Sequence, residues 1–269
     1  MELQYAIVNG LRIKPKKGLD GICPNCGSKV IAKCGEERVH HWAHQARRNC
    51  DPWHENETQW HRDWKNQFPE EWQEIPHRAI DGEKHIADLK RPDGLVVEIQ
   101  YSHIDQEERR KREEFYNTLI WIVSGVRLKR SIPGMEEALG YGRLIHEKPP
   151  IYSVFTYESQ LLQKWVTSKK TVFFDFEEHI VGAKRIGNVR EPVVWRLDPS
   201  SSEDTSYLTP IYKSQLVSDI RNVEIGKNSV SGLISAIQLS SRHGRMSNVP
   251  ISLMGFERYM YRRRSRPRF

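Results

Sequence analysis

The stretch that decides the fold is His85-Ile-Ala-Asp88-Leu, followed by Lys90-Arg-Pro-Asp-Gly94 and Leu95-Val-Val-Glu98-Ile-Gln100. Pro, Asp and Gly form turns, and aliphatic and β-branched residues flank them on both sides. The pattern therefore predicts a β-hairpin centred near Asp93. About that centre Asp88 pairs with Glu98, and directly opposed residues have their Cβ atoms roughly 5 Å apart.

Two carboxylates at this separation repel each other unless a cation lies between them. Oxygen ligands of this kind suit Mg²⁺ or Mn²⁺. Asp88 and Glu98 are therefore candidate metal ligands. The alternative is an edge hairpin with solvated charges, because one face of an antiparallel sheet is often exposed to water.

The length and composition of the chain set the next expectations. Its 269 residues exceed the usual domain of roughly 100 to 200 residues, so we expect a core with appendages or two domains. We expect a soluble, cytoplasmic protein with no membrane partner, because no apolar run approaches the roughly 20 residues that span a bilayer and no export signal is visible. The four cysteines then serve as metal ligands or free thiols rather than disulfides.

The net charge of +7 is unevenly distributed. Residues 1–50 and 131–269 carry +5 and +6, whereas residues 51–130 carry −4. Basic ends attract a polyanion, and clustered carboxylates repel it unless they hold a metal ion. The pattern predicts a metal-dependent enzyme that acts on nucleic acid, with Arg262, Arg263 and Arg264 of the C-terminal tail as candidate contacts. A solubilising tail is the alternative.

A cysteine and histidine pattern near the N-terminus predicts a structural zinc site. Cys23-Pro-Asn-Cys26-Gly27 is a tight knuckle, and His40-His41-Trp-Ala-His44 and Cys50 follow it at the spacing of a zinc ribbon. The alternative is a small domain with free cysteines and a surface histidine cluster.

The pattern offers more groups than the four ligands that tetrahedral Zn²⁺ takes. Cys23, Cys26 and His44 are the firmest candidates. Either His41 or Cys50 completes the set, and Cys34 and His40 are spares.

A helix is predicted from about residue 54 to 68. Glu57, His61 and Lys65 lie at i, i+4 and i+8 on one face, and an adjacent stripe of aromatic residues packs that helix onto a sheet. A solvated face with an ordinary Glu–His pair is the alternative.

The remaining elements suggest an α/β core. Residues 74–80 form a strand before the hairpin, and residues 105–117 form a helix whose exposed face carries Arg109, Arg110 and Arg112. A buried strand follows at residues 119–123. The helix between two strands of one sheet makes the right-handed crossover expected of such cores.

This order of elements, with Asp88 on one central strand and Glu98-Ile-Gln100 on the next, resembles the PD-(D/E)XK nuclease superfamily. More closely, residues 23–125 resemble the competence protein CoiA-like family. The resemblance implies an α/β fold with a restriction-endonuclease-like core made of a helix, a three-strand meander, a helix and a strand. The predicted division is a zinc-ribbon-like module at residues 1–52, the nuclease core at 53–130 and an accessory region with the Arg-rich tail at 131–269.

The resemblance also assigns roles. Asp88 and Glu98 would ligate Mg²⁺ or Mn²⁺ together with the carbonyl of Ile99, and Glu57 would orient that shell or hold a second ion. Gln100 takes the place of the usual lysine, and an amide can only orient water by hydrogen bonds. The metal ion, helped by His61 or Lys65, would then lower the pKa of the attacking water and stabilise the charge on the phosphate.

The sequence thus predicts a metal-dependent endonuclease that hydrolyses single- or double-stranded DNA, in competence-type DNA processing or phage defence. One alternative is a non-catalytic nucleic-acid-binding factor with a nuclease-like core, and another is a protein-interaction scaffold without DNA affinity. A homo-oligomer or a protein partner is compatible with each of them.

Overall fold

The computed structural model describes residues 2–46, 50–53, 57–79, 82–187, 189 and 191–222. Within them the chain is a mixed α/β protein with two β-sheets. The arginine-rich tail, with Arg262, Arg263 and Arg264, lies outside the described residues. No helix in the described ranges is long and apolar enough to cross a membrane.

The first sheet is built from the N-terminal residues and has six strands in the order β1-β6-β5-β4-β2-β3, all antiparallel. Its core is small and includes Leu3, Val30 and Trp42. The strands are β1 (Glu2–Leu3), β2 (Ala6–Val8), β3 (Leu11–Ile13), β4 (Asp20–Ile22), β5 (Lys29–Lys33) and β6 (His41–His44).

The elements of the predicted core follow in the predicted order. They are α1 (Gln59–Lys65), β7 (Gln73–Arg78), β8 (Lys84–Lys90), β9 (Val96–Gln100), α2 (Gln106–Phe115) and β10 (Leu119–Ser124). β7, β8 and β9 form an antiparallel meander, and α2 carries the chain over to β10, which lies parallel to β9.

The rest of the described chain extends the same sheet. Its elements are α3 (Ser131–Tyr141), β11 (Arg143–Glu147), β12 (Pro150–Phe155), α4 (Gln160–Trp165), β13 (Thr171–Asp175), α5 (Ala183–Ile186), β14 (Val193–Leu197), β15 (Thr205–Tyr212) and α6 (Lys213–Arg221). The second sheet therefore has nine strands in the order β11-β12-β15-β14-β13-β10-β9-β8-β7. One face packs against α2, α3 and α4, and the other against α1 and α6.

The hairpin is confirmed at the predicted position. Leu89 pairs with Val97, and Lys90 pairs with Val96. The N–H of Arg91 donates to the carbonyl of Leu95 at 2.9 Å, which closes the turn. Gly94 has a φ of +91°, in the left-handed region that favours glycine, which explains the residue at this position.

Helix α1 is shorter than predicted and begins after Glu57. Thr58 is its N-cap, because its hydroxyl accepts from the N–H of His61 and the Nδ1 of His61 accepts from the N–H of Thr58. This capping box fixes the first turn. Glu57 therefore approaches the site from the segment before the helix, and residues 54–56 lie outside the described ranges.

The predicted exposed arginine face of α2 is wrong for two of its three members. Arg110 is exposed and pairs with Glu114. Arg109 and Arg112 are buried, at 4% and 6% exposure, because buried acceptors receive their guanidinium groups. Arg109 donates to the carbonyl of Lys164, and Arg112 donates to Glu98.

Candidate functional site

A cavity of about 50 Å³ lies between α1, the β8–β9 hairpin and the N-terminal sheet. Four of the five residues predicted to be catalytic line it: Glu57, His61, Asp88 and Glu98. Gln100, the fifth, does not line it. Its amide Nε2 instead donates to the carbonyl of Ser102 at 3.3 Å.

Asp88 and Glu98 reach this cavity from adjacent strands. The register of the hairpin places them opposite each other, one step beyond the Leu89–Val97 pair. Asp88 Oδ2 accepts from the N–H of Ile99 at 2.9 Å, so the carboxylate takes the place of a backbone partner. Burial would raise the pKa of Asp88, but Lys65, His61 and this N–H together hold the pKa below its ordinary value.

Glu98 has one oxygen paired and one available. Its Oε2 accepts from Arg112 Nη1 at 3.0 Å, and its Oε1 is buried with no hydrogen-bond partner among the described residues. Burial and the charge of Asp88 raise the pKa of Glu98 to about 8, against the opposing effect of Arg112. An unpartnered buried carboxylate oxygen is costly unless a cation binds it.

Lys65 is the centre of the charge network. Its Nζ lies 2.9 Å from Glu57 Oε1, 3.1 Å from Glu74 Oε1 and 3.2 Å from Asp88 Oδ1. Burial alone would lower the pKa of Lys65, but the three carboxylates raise the pKa well above its ordinary value. The three carboxylates therefore favour the ammonium form of Lys65.

Glu74, which holds Lys65 from β7, is not among the site residues predicted from the sequence. Glu74 has a φ of +46°, unusual for a residue with a side chain, and its Oε2 accepts from the N–H of Gln4 at 2.7 Å. The single signal in the sequence is an acid within a strand. A residue held at such a φ often marks a functional site.

Asp51 is likewise not among the predicted site residues. Its Oδ2 accepts from the N–H of Ile86 at 2.8 Å, and its Oδ1 lies 2.8 Å from His85 Nδ1. Asp51 and Glu2 line the cavity, so the N-terminal part of the chain forms one of its walls.

The zinc prediction finds a matching geometry. One ligand atom each from Cys23, Cys26, His44 and Cys50 lies within 4.8 Å of the others, so these side chains could hold a structural metal such as zinc. Cys26 Sγ lies 3.3 Å from His44 Nε2, and Cys23 Sγ lies 3.7 Å from Cys50 Sγ. The hydrogen bond between the two sulfurs lowers the pKa of Cys23 to about 5 and raises the pKa of Cys50. A thiolate is the form that binds metal.

His41, predicted as the alternative to Cys50 for the fourth ligand, is not part of this cluster. His41 and His44 lie three residues apart on β6, and successive side chains alternate between the faces of a strand. Only His44 faces the cysteines. The Nδ1 of His41 bonds to the carbonyl of Val39 at 2.9 Å, and its Nε2 lies 3.6 Å from Glu2. Cys50 is the fourth member of the cluster, and the spare Cys34 lies outside it.

The comparison with family models matches this N-terminal part. The model for the competence protein CoiA, N-terminal domain, matches residues 15–52, which include the four residues of the metal cluster and Asp51. No curated protein and no solved structure matches the chain. The match covers 38 of the 269 residues and supports a CoiA-like family for this part of the chain.

Proposed function

We propose that this protein is a metal-dependent nuclease that hydrolyses DNA phosphodiester bonds. The observation that carries the proposal is the meeting of Asp88, Glu98 and the cation Lys65 in one buried cavity at the β8–β9 hairpin. The link to competence agrees with DNA as the substrate.

The residues present fit a hard divalent cation. Asp88 and Glu98 supply carboxylate oxygens, and Glu98 Oε1 is buried without a hydrogen-bond partner in the described part of the chain. With the carbonyl of Ile99 they would hold Mg²⁺ or Mn²⁺. Such an ion, when bound, makes water more acidic and stabilises charge on the phosphate.

Lys65 supplies the positive charge that Gln100 cannot. It comes from helix α1 rather than from strand β9, yet it reaches Asp88 at 3.2 Å. Its three carboxylate partners favour the ammonium form, which does not serve as a general base. Its role is to stabilise the negative charge that builds on the phosphate oxygens while the water attacks and the P–O bond to the leaving oxygen breaks.

Glu57 and His61 position the other groups. Glu57 is paired with Arg62 at 2.5 Å and with Lys65, so it fixes Lys65 rather than holding a second ion. His61 accepts from the N–H of Thr58 through Nδ1. In the neutral ring the proton is therefore on Nε2, and His61 acts in the cavity as a hydrogen-bond donor.

A second function has its own support. Arg112 already pairs with Glu98, and Lys65 already pairs with Asp88. Two side-chain cations thus neutralise the carboxylates that a metal would need. A non-catalytic nucleic-acid-binding factor would have this arrangement, and its core would need no metal.

One experiment separates the two functions. Purified protein is incubated with circular single-stranded DNA and with supercoiled duplex DNA, with Mg²⁺, with Mn²⁺ or with no added divalent ion. Glu98→Ala is compared with Glu107→Ala, because Glu107 is an exposed acid on α2 that pairs only with Lys111 in the described structure.

If the protein is a nuclease, wild type should cut DNA only with an added metal ion. Glu98→Ala should abolish the cutting and Glu107→Ala should retain it, and both variants should bind DNA as wild type does. Wild-type protein that binds both DNAs but cuts neither with either ion would reject the nuclease and favour the binding factor. Absence of DNA binding would reject both.

A further inference from the structure

We propose a second ligand site, a pocket for one phosphate group of the nucleic-acid strand, at the carboxyl ends of β9 and β10. This inference rests on the proposed nucleic-acid substrate and adds to it a place where the strand is held away from the cleavage chemistry. The pocket has a volume of about 30 Å³ and is lined by Ser102, Ser124, Arg127, Ser131 and Lys164 among others. One water needs roughly 10 to 15 Å³ of such space, so the pocket suits a small anionic group and excludes a nucleobase.

Ser124 is the first observation that points to a ligand. It is the last residue of β10 and is 4% exposed. Its hydroxyl is buried and has no hydrogen-bond partner among the described residues. Buried hydroxyl groups are nearly always hydrogen-bonded, so an acceptor such as a phosphate oxygen completes this site.

The second observation is the N-terminus of α3, which begins at Ser131 in the same pocket. This helix has eleven residues, no side-chain hydrogen bond at its N-cap and no acidic residue in its first turn. The N–H of Ser131 already donates to the carbonyl of Leu128, and Pro133 has no N–H, so this terminus offers an anion the positive end of its dipole rather than a set of free N–H groups. A phosphate at this position is favourable because no acidic side chain of the first turn neutralises that end.

The charges around the pocket agree with an anion. Arg127 and Lys164 line it, and the described structure gives neither side chain an acidic partner within ion-pair distance. The loop at residues 125–130 adds Lys129 and Arg130 and contains no acid. No Asp or Glu is among the lining residues.

The phosphate pocket lies next to the cavity that contains Asp88 and Glu98, because both are reached from β9. Tyr101 lines the pocket, and its ring centroid is 6.1 Å from that of His61, which lines the cavity. Glu98 and Tyr101 are three residues apart, or roughly 10 Å along a strand. A nucleic-acid strand whose scissile phosphodiester lies at Glu98 can therefore place a neighbouring phosphate in the pocket. His61 and Tyr101 lie between the two sites.

The test measures binding without cleavage. The affinity of a fluorescent single-stranded oligodeoxynucleotide is measured by anisotropy at several salt concentrations with no divalent ion added. The double variant Arg127→Gln/Lys164→Gln is compared with Arg110→Gln/Lys111→Gln, which removes the same charge from the exposed face of α2. Inorganic phosphate is titrated separately and followed by ³¹P line width. Ser124→Ala tests the buried hydroxyl, and circular dichroism checks the fold of every variant.

We expect the pocket variant to bind DNA at least about tenfold more weakly than wild type, whereas the affinity of the control variant changes less than about twofold. The slope of log K against log salt concentration should become shallower by about 0.7 for each lost phosphate contact. Ser124→Ala should weaken binding severalfold. Equal affinities for the two double variants would overturn the pocket, and phosphate broadening without any change in DNA affinity would overturn the nucleic-acid assignment.

The outcome is independent of the proposed cleavage. If wild type never cuts DNA but the pocket variant binds DNA more weakly than wild type, the nuclease proposal is rejected and the pocket is retained. Cutting with unchanged affinity and unchanged KM in the pocket variant would retain the nuclease and reject the pocket.

Discussion

Lys65 Nζ lies 3.2 Å from Asp88 Oδ1, so helix α1 and strand β8 share one ion pair, in which the lysine is buried and the aspartate side chain is 25% exposed. The same ammonium contacts Glu57 and Glu74, and Glu74 in turn receives the N–H of Gln4. The N-terminal sheet, the helix and the hairpin thus meet at a single lysine. The geometry of the site depends on all three parts.

We expect Lys65→Met to destabilise the fold by about 3 to 5 kcal/mol, because the buried Glu74 and the partly exposed Asp88 lose their ion-pair partner and Glu57 keeps only Arg62. Urea unfolding at neutral pH measures the loss. Mg²⁺ should raise the free energy of unfolding of this variant more than that of wild type, since the ion can bind the carboxylates that no longer contact Lys65. Lys184→Met, which removes an exposed lysine from α5, should change stability by no more than about 0.5 kcal/mol. Wild-type stability of Lys65→Met would show that the network does not depend on this charge.

The parts of the site that follow from local chemistry could be predicted from the sequence. The hairpin follows from Pro92, Asp93 and Gly94 between apolar runs, and its register follows from the turn. The meeting of His61 and Lys65 on one face follows from their helical spacing. These predictions use only residues close together in the chain.

The parts that depend on distant residues could not be predicted. Arg112 lies on a helix rich in charge, and nothing nearby in sequence shows that Glu98 lies against it. Glu74 and Asp51 likewise acquire their roles from partners elsewhere in the fold. His41 is different, because the alternation of side chains along a strand would have separated it from His44 if residues 41–44 had been predicted as a strand.

We expect Cys50→Ser to abolish stoichiometric zinc binding, because the cluster then keeps only three of its four ligands. Purified variants are analysed for metal content by mass spectrometry. His41→Gln and Cys34→Ser are the matched controls, and both should keep the zinc content of wild type. Zinc loss in His41→Gln with zinc retained in Cys50→Ser would reverse the assignment of the fourth ligand.

His77 should make the stability of the fold sensitive to mild acid. Burial, and then the positive charge of Lys90, whose Nζ lies 2.6 Å from His77 Nδ1, lower the pKa of His77 in the folded state. The unfolded state then binds a proton more readily, so stability is lost as the pH falls below the ordinary histidine pKa of about 6.5.

Unfolding free energies at several pH values between about 7.5 and 5 check this prediction, because the window starts above the unfolded histidine pKa. As the pH falls, the free energy of unfolding of wild type should decrease more than that of His77→Gln. Lys90→Met should weaken the effect, since it removes the second cause of the lowered pKa. A difference between wild type and His77→Gln that is constant over this range would contradict the argument.

Asp175 ties helix α1 to the C-terminal half of the sheet. This fully buried residue accepts through Oδ2 from Trp60 Nε1 at 3.0 Å, from Trp64 Nε1 at 2.7 Å and from Lys213 Nζ at 3.0 Å. Both tryptophans belong to the helix that carries His61 and Lys65. Asp175 therefore fixes the position of these two cavity residues without contacting the cavity itself.

We expect Asp175→Asn to destabilise the fold by about 1 to 3 kcal/mol, because a neutral amide cannot satisfy all three donors. The same change should lower kcat for DNA cleavage and leave KM close to wild type, since α1 shifts and the proposed phosphate pocket does not. Lys213→Met removes only the third donor, which is 30% exposed, so its effect on stability should stay below about 1 kcal/mol. Equal kcat values for Asp175→Asn and wild type, at reduced stability, would limit Asp175 to holding the fold.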